Sequence, residues 1–179
     1  ELIAEFLRGE YGTLEGVHPK LVALLFASDR KEHIQTIIDW LEEGYYVIAD
    51  RYVYSNIAYQ CAKLSGEGEK ESLKNWILDF EFHRNALPMP DKTLFLSVPL
   101  SFIKKSLSET RTGDDRNYLN GKEDIHAKSL SFQENVYKEY LKLLDSREDF
   151  GKVDCFDTEG CFLPKDQIHE MIWEKLIEE

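Results

Sequence analysis

Three consecutive residues, Asp50, Arg51 and Tyr52, place a carboxylate, a guanidinium and a phenol directly after a short apolar run. Arginine presents a rigid, permanently charged fork that fits the oxygens of a phosphate group. The aspartate can orient that fork, or it can hold Mg²⁺ directly or through water. These residues therefore predict a phosphate site, although a structural ion pair at the end of a strand explains them equally well.

A second group lies upstream, where Phe26 and Arg30 are separated by four positions. On a helix these two side chains share one face. A flat ring beside a guanidinium can stack on a nucleobase while the guanidinium donates a hydrogen bond to a carbonyl oxygen of the base. The alternative is that Phe26 belongs to the core and Arg30 pairs with an acidic neighbour. On these two residues alone, that alternative is the better explanation.

A third group follows the first, because Asn56 and Tyr59 are three residues apart and would lie on one helix face. An asparagine amide can both donate to and accept from the edge of a base. A tyrosine ring can close one side of a sugar pocket. The competing interpretation is a helix that carries an exposed amide and a half-buried phenol.

The hydrophobic pattern predicts the elements that must position these groups. Helices are predicted at residues 1–9, 17–43, 53–64, 71–84 and 125–144, and from 164 to near 179. Short apolar runs at 45–50, 92–98 and 152–156 are predicted to be strands. The alternation indicates an α/β fold with a parallel sheet and helices on both faces. Ligands of such folds bind beyond the carboxyl ends of the strands, where Asp50 and Arg51 lie.

Composition limits the class of protein. The chain has 179 residues, a hydrophobic fraction of 42% and a formal net charge of -12. These values suit one domain with a buried core and oppose binding to long nucleic acids. No apolar run of about 18 residues appears, and no sequence of the secretion-signal type is found. The three cysteines match no metal motif and are expected to be reduced thiols of a cytoplasmic protein.

Taken together, residues 24–30 and 50–59 resemble the thymidylate kinase family of P-loop nucleoside monophosphate kinases. The segments read Leu-Leu-Phe-Ala-Ser-Asp-Arg and Asp-Arg-Tyr-Val-Tyr-Ser-Asn-Ile-Ala-Tyr. The resemblance implies a P-loop NTPase fold of the nucleoside monophosphate kinase type. It also implies phosphoryl transfer from ATP, with Mg²⁺, to thymidine monophosphate, giving thymidine diphosphate. Family members are commonly homodimers, and the helix predicted over 17–43 is the candidate surface.

The resemblance assigns roles to the residues of the second and third groups. Phe26 would stack on the thymine ring, and Arg30 would reach a thymine carbonyl oxygen. Asn56 would hydrogen-bond the edge of the base. Tyr59 would crowd the sugar position where a ribonucleotide carries its extra hydroxyl.

The resemblance also assigns the phosphate end of the site. Arg51 would hold the monophosphate, and Asp50 would help to organise both Mg²⁺ and Arg51. The polar stretch at about 111–121 resembles the family's lid, which would fold over the phosphates, although a solvated polar loop is the alternative. The lid residues assigned to the phosphates or the substrate are Arg111, Arg116 and Tyr118.

The 179 residues contain no glycine-rich loop ending in Gly-Lys-Ser or Gly-Lys-Thr, which wraps the donor phosphates in this family. The family's first strand, which lies between the strands at 45–50 and 92–98, is absent from the sequence as well. Without it, two strands would lack a partner. We expect one thymidylate-kinase-like domain over 1–179 that is N-terminally incomplete and belongs to a longer chain. A related kinase with another acceptor, or a catalytically inactive nucleotide-binding homologue, are the alternatives.

Overall fold

A computed structural model describes residues 1–14, 16–108 and 130–177 of the chain. These residues fall into two compact units. The described residues of the first unit lie in 1–89 and 130–139, and those of the second lie in 90–108 and 140–177. The predicted organisation as one domain over 1–179 stays a prediction.

The first unit is helical in its described residues. Its helices are α1 (Leu2–Leu7), α2 (Pro19–Glu32), α3 (Ile34–Glu42), α4 (Val53–Cys61) and α5 (Glu67–Leu78), and α5 continues as a π-helix over Asp79–Arg84. Pro19 suits the first turn of α2, because a proline lacks the N–H that would have no partner there. The side chain of His18 supplies the cap, since its Nδ1 accepts from the Lys20 amide at 3.2 Å.

Helix α4 forms the centre of the core of this unit. It packs against α2 and α5, and its buried residues are Val53, Tyr54, Asn56, Ile57, Ala58, Gln60 and Cys61. A helix that is enclosed on most sides cannot shift without opening the packed core around it. The side chains of α4 are therefore held in fixed positions relative to α2 and α5.

The helix predicted over 17–43 is two helices that meet at His33. The backbone of His33 has a φ of -104° and a ψ of 3°, outside the α-helical region. Its amide bonds to the carbonyl of Arg30, three residues back, at 3.1 Å. This tightened last turn ends α2. The apolar periodicity continues across the break because both helices keep an apolar face, and the sequence pattern therefore did not reveal it.

The prediction of a strand over 45–50 is wrong. Residues 45–49 carry no strand pairing among the described residues. Tyr46 is 100% exposed and Ile48 is 85% exposed. An apolar, β-branched run forms a strand only where a neighbouring strand supplies its backbone hydrogen bonds. The segment thus has the sequence pattern of a buried strand but no strand partner among the described residues.

The second unit contains a small parallel sheet. Strands β1 (Thr93–Ser97) and β2 (Phe150–Asp154) pair from Thr93 opposite Phe150 to Ser97 opposite Asp154. The other elements of this unit are α6 (Leu100–Ser108), the last part of α7 (Leu130–Ser146) and α8 (Lys165–Ile177). The strand predictions at 92–98 and 152–156 are confirmed apart from their ends. Parallel pairing is confirmed as well.

The core of the second unit lies between the sheet and α8. Val153, Cys155 and Ile168 are buried there, packed against apolar side chains that include Leu94. Gly151 of β2 permits this packing, because a Cβ at that position would lie 3.0 Å from Cδ2 of Leu94.

All three cysteines are free thiols, as predicted. Cys61 and Cys155 are buried, and Cys161 is exposed. Burial raises the pKa of the Cys155 thiol, and the charge of Asp154 adds to that shift. Among the helices that the structure describes, none is both long enough and apolar enough to cross a membrane.

Candidate functional site

A buried carboxylate joins two of the predicted site residues. Glu81 lies in the π-helix and is 0% exposed. Its Oε2 accepts a hydrogen bond from Arg30 Nε at 2.5 Å, and its Oε1 accepts one from Arg30 Nη2 at 2.7 Å. The same Oε1 accepts from Asn56 Nδ2 at 2.9 Å. A buried charge is tolerated when it is paired and hydrogen-bonded in this way. We call these three residues the Glu81 cluster.

Three elements of the first unit supply the Glu81 cluster. Arg30 lies in the last turn of α2, Asn56 lies in α4, and Glu81 lies in the π-helix that continues α5. In that π-helix the Asn85 amide bonds to the Phe80 carbonyl, five residues back, at 2.9 Å. A π turn is rare and occurs often at functional sites. The widened turn carries Glu81 on the side of the helix that faces α2 and α4.

Only one orientation of the Asn56 side-chain amide allows it to donate hydrogen bonds to both neighbouring acceptors. Asn56 is 4% exposed, and its Nδ2 donates to the Ala23 carbonyl at 2.9 Å as well as to Glu81. A flipped amide would place its oxygen against two acceptor oxygens. The remaining atom, Oδ1, has no hydrogen-bond partner among the described residues. A buried acceptor in that state costs about 1–3 kcal/mol, which a ligand with an N–H group would relieve.

Arg30 supplies a donor to the same carboxylate oxygen that Asn56 binds. Its side chain is 17% exposed. Glu81 occupies the Nε and Nη2 edge of the guanidinium, and no hydrogen bond of Nη1 is found in 1–14, 16–108 or 130–177. Phe26 is half-buried and lies one turn earlier on α2, on the same helix face. The cluster thus combines a hydrogen-bond donor, a hydrogen-bond acceptor and, by helix spacing, an aromatic ring.

Tyr52 adds a phenol close to the Glu81 cluster, and the sequence analysis gave it no separate role. Its hydroxyl donates to the Pro88 carbonyl at 3.0 Å, and its ring packs against Phe82 with centroids 6.4 Å apart. Burial raises the pKa of Tyr52 to about 12, while the charge of Arg30 lowers it and the charge of Glu81 raises it. The phenol is therefore a neutral hydrogen-bond donor over the physiological range.

Arg51 and Tyr59 form a second pair. The guanidinium carbon of Arg51 lies 5.1 Å from the centroid of the Tyr59 ring, which is a cation–π contact. The Tyr59 ring also packs edge-on against the ring of Phe132, with the ring centroids 5.9 Å apart. Arg51 has a φ of 68°, in the left-handed region that costs a non-glycine residue about 1–2 kcal/mol. Strain of this kind is common at binding sites, where the surrounding structure maintains it.

The comparison with known proteins agrees with these motifs. A family model described as Thymidylate kinase matches residues 1–156. This chain belongs to the thymidylate kinase family. The probable thymidylate kinase of Pyrococcus abyssi is 36% identical over 125 residues, which are 69% of this chain and 51% of the relative. This chain thus spans about half the length of that curated relative.

Other thymidylate kinases are similar over longer stretches. The thymidylate kinase of Mesoplasma florum is 33% identical over 142 residues, 78% of this chain and 63% of the relative. The probable thymidylate kinase of Staphylothermus marinus is 35% identical over 154 residues, 85% of this chain and 70% of the relative.

Four of the predicted site residues fall into two groups. Arg30 and Asn56 meet at Glu81, and Arg51 meets Tyr59. Arg30 does pair with an acidic neighbour, as the alternative explanation required, but the acid binds Asn56 as well. The alternative of an exposed amide at Asn56 is wrong, because α4 is enclosed by α2 and α5.

Asp50 is exposed beside Arg51. No group of three or more metal-ligating side chains occurs among the described residues. The predicted lid residues Arg111, Arg116 and Tyr118 lie outside the described residues, and their roles stay predictions.

Glu81 is the site residue that the sequence analysis missed. One signal was present, since Leu73, Ile77 and Glu81 follow each other at four-residue steps and are all buried. An acid that continues the apolar face of a helix needs a partner in the core. The sequence does not reveal which of the many basic residues provides it.

Proposed function

We propose that this chain binds thymidine monophosphate and, as part of a thymidylate kinase, phosphorylates it at the expense of ATP. The product is thymidine diphosphate. The observation that carries the proposal is the buried Oδ1 of Asn56, which has no hydrogen-bond partner among the described residues, in a side chain whose Nδ2 shares Glu81 Oε1 with Arg30. Membership in the thymidylate kinase family supports the same substrate. We also propose the fold type of that family, a P-loop NTPase with a parallel sheet covered by helices on both faces.

The Glu81 cluster would recognise the base. Thymine presents an N–H, at N3, next to a carbonyl oxygen, O4. Asn56 Oδ1 would accept from N3–H, and Arg30 Nη1 would donate to O4, while Phe26 stacks on the ring. Cytosine presents a bare nitrogen and an amino group at the same places. Sites with buried polar groups discriminate strongly against a ligand that leaves those groups unpaired.

The Arg51–Tyr59 pair would hold the phosphate and the sugar. Arg51 offers a charged fork to the phosphate oxygens. The Tyr59 ring supports that fork from one side at 5.1 Å. The same ring would crowd the position of a ribose 2′-hydroxyl. The pair therefore links recognition of the monophosphate to a preference for deoxyribonucleotides.

The reaction forms a bond between an oxygen of the thymidylate phosphate and the terminal phosphorus of ATP. The bond from that phosphorus to its bridging oxygen breaks, and ADP leaves. Arg51 would orient the attacking phosphate, and Arg111, Arg116 and Tyr118 would approach when the lid closes. Alignment and charge neutralisation are the main sources of rate in such transfers.

Mg²⁺ would supply charge neutralisation on the phosphates when it is bound. An exposed carboxylate next to a phosphate-binding arginine fits this ion, because Mg²⁺ takes one or two carboxylates together with water and phosphate oxygens. Asp50 is the residue of this chain that would hold it. The sequence contains no glycine-rich lysine loop, so we assign no residue of the chain to the phosphates of ATP. The comparisons favour neither a kinase for another acceptor nor an inactive homologue.

Calorimetric titration tests the acceptor. Thymidine and deoxyuridine monophosphates are expected to bind at least about tenfold more tightly than deoxycytidine monophosphate, because only they offer an N–H to Asn56. Equal affinity for all deoxynucleoside monophosphates would reject thymidylate as the acceptor. Turnover of ATP with thymidylate by the longest natural form of the chain tests the transfer itself.

Arg51→Ala tests the phosphate contact. Binding of thymidine monophosphate is expected to weaken by about tenfold or more, since a charge-assisted fork disappears. Binding of thymidine, which has no phosphate, is expected to stay within about twofold. The matched control is Arg84→Ala, which removes a surface arginine paired with Asp79. An equal loss for nucleoside and nucleotide would remove Arg51 from the phosphate site.

We also propose that the chain forms a homodimer through α3. No residue of this helix is buried, yet Ile34, Ile37, Ile38 and Leu41 lie on one side of it. Leu21 of α2 is 62% exposed as well. An apolar helix face that the described residues of its unit leave unburied suits a self-complementary interface between two copies. Ile37→Asp is expected to give monomers in sedimentation velocity, whereas Gln35→Lys on the polar side keeps the dimer. A monomeric wild type would contradict this proposal.

The proposed location is the cytoplasm. Three free cysteines, one of them exposed at Cys161, suit a reducing compartment. Fractionation of cells that express the natural protein would test this.

A further inference from the structure

We propose that Glu81 is a positioning residue that sets the base preference of the site by turning the Asn56 amide. Its carboxylate binds the NH₂ group of Asn56 and thereby leaves the carbonyl oxygen for the base. The inference rests on the proposed function, since it requires the base to lie against Arg30 and Asn56. It assigns specificity to a residue that does not itself touch the base.

The two possible orientations of the Asn56 amide differ in energy. In the observed orientation Nδ2 donates to both the Ala23 carbonyl and Glu81 Oε1, each at 2.9 Å. The flipped orientation would replace both bonds by oxygen–oxygen contacts. Hydrogen bonds to a carboxylate are stronger than those to a neutral carbonyl. Glu81 therefore provides more of the orientational preference than Ala23 does.

Glu81 also fixes the donor, Arg30, and the acceptor, Asn56, in position relative to each other. Both Arg30 Nη2 and Asn56 Nδ2 bond to the same oxygen, Oε1, at 2.7 Å and 2.9 Å. The additional bond from Nε to Oε2 fixes the plane of the guanidinium. The order of groups offered to a ligand is thus a donor from Arg30 and an acceptor from Asn56. That order suits a base edge with N–H beside C=O, and it opposes an edge with a bare nitrogen beside NH₂.

A purely structural role for Glu81 is the competing explanation. A counter-ion for Arg30 needs no contact with Asn56. It also gives no reason for a buried acceptor, Asn56 Oδ1, that lacks a partner among the described residues. The two roles predict different results. Loss of a structural counter-ion weakens the fold and hence the binding of every nucleotide, whereas loss of a positioning group changes the ratio between bases.

The experiment is calorimetric titration of the full chain with thymidine monophosphate and with deoxycytidine monophosphate. Glu81→Gln keeps the shape of the side chain but replaces one acceptor oxygen by a donor. The ratio of the two dissociation constants is expected to fall by about tenfold or more, the range of one good pair of hydrogen bonds to a base edge. The matched control is Asp79→Asn in the same π-helix, whose partner Arg84 is at the surface, and which is expected to keep the ratio.

The outcomes separate this inference from the proposed function. A wild-type chain that binds both nucleotides equally, or neither, overturns the proposed function and this inference with it. A wild-type preference for thymidylate that Glu81→Gln retains in full overturns the inference alone. A preference that shrinks in Glu81→Gln but not in Asp79→Asn supports both.

A second measurement needs no variant and applies even if Glu81→Gln does not fold. In nuclear magnetic resonance of the ligand-free wild type, the Arg30 Nε–H and the Asn56 NH₂ protons are expected to exchange with water at least about tenfold more slowly than those of Arg84 and Asn75. Arg84 and Asn75 make similar contacts at the surface, with Asp79 and Glu71. Exchange at the surface rate would show that Glu81 holds neither group, and it would overturn the inference.

Discussion

The Glu81 cluster and the corner formed by Asp50 and Arg51 are both rich in charge, but they are built differently. In the cluster a fully buried carboxylate accepts three hydrogen bonds, and the buried Oδ1 of Asn56 has no donor among the described residues. At the corner Asp50 is exposed, and Arg51 rests on an aromatic ring with a strained backbone. The cluster that is proposed to read the base is therefore assembled before a ligand arrives. The residues that are proposed to bind the phosphate remain close to water.

The difference has a physical cause. A base is neutral, so its recognition depends on short, directional hydrogen bonds, and these are most selective when the protein groups are already fixed. A phosphate carries charge and attracts a guanidinium over a longer distance, so an exposed arginine is sufficient.

The largest expected effect comes from disrupting the buried Glu81 cluster. Arg30→Ala leaves the Glu81 carboxylate without its charged partner in the core. Removal of one member of a buried pair typically costs about 3–5 kcal/mol, so the free energy of unfolding in urea is expected to fall by that amount. The matched surface variant is Arg84→Ala, whose partner Asp79 is 46% exposed. It is expected to cost less than about 1 kcal/mol. Similar losses in the two variants would show that the Glu81 cluster is not preassembled.

A smaller effect on stability is expected from substitutions of Arg51 at the exposed corner. Arg51 has a φ of 68°, which glycine adopts without strain and alanine does not. Both Arg51→Gly and Arg51→Ala lose the contact with Tyr59, so the difference between them reports the backbone alone. Arg51→Gly is expected to be more stable than Arg51→Ala by about 1 kcal/mol in chemical denaturation. If alanine were as stable as glycine, the backbone at the corner would not be strained.

The smallest effect concerns the edge of the Glu81 cluster, and it depends on pH. Burial raises the pKa of Tyr52 from an ordinary value of 10.0 to about 12. The contribution of the neutral phenol to stability is therefore fully present below pH 10 and is lost as the pH rises through 12. At neutral pH, Tyr52→Phe is expected to cost about 1 kcal/mol, because the bond to the Pro88 carbonyl is lost.

The measurement is urea unfolding of wild type and Tyr52→Phe at neutral pH and at about pH 11. Other groups titrate in the same range, but they are common to both proteins and cancel in the difference. The stability advantage of the wild type is expected to shrink at the higher pH. An advantage that is constant with pH would show that Tyr52 is not buried beside the cluster.

Local pattern predicted much of the fold and part of the site. The strands at 92–98 and 152–156 were found because short apolar runs between turn signals are local features. Helix spacing predicted that Phe26 and Arg30, and likewise Asn56 and Tyr59, share a helix face, and their joint roles in a site stay predictions. The same reasoning failed at residues 45–49, since a strand requires a neighbour that local pattern cannot supply. The same reasoning also predicted one helix in place of α2 and α3, because the apolar periodicity of both helices continues through His33.

The amino-acid sequence by itself determined the family, the parallel strands, and the types of group available to bind a base and a phosphate. These depend on residue chemistry and on contacts between near neighbours in the chain. Only the tertiary structure decided which groups act together. Glu81 meets Arg30 across 51 positions and Asn56 across 25, and such pairings arise from the packing of α2, α4 and the π-helix around one core. The orientation of the Asn56 amide, and with it the base that the site would accept, is a property of that packing.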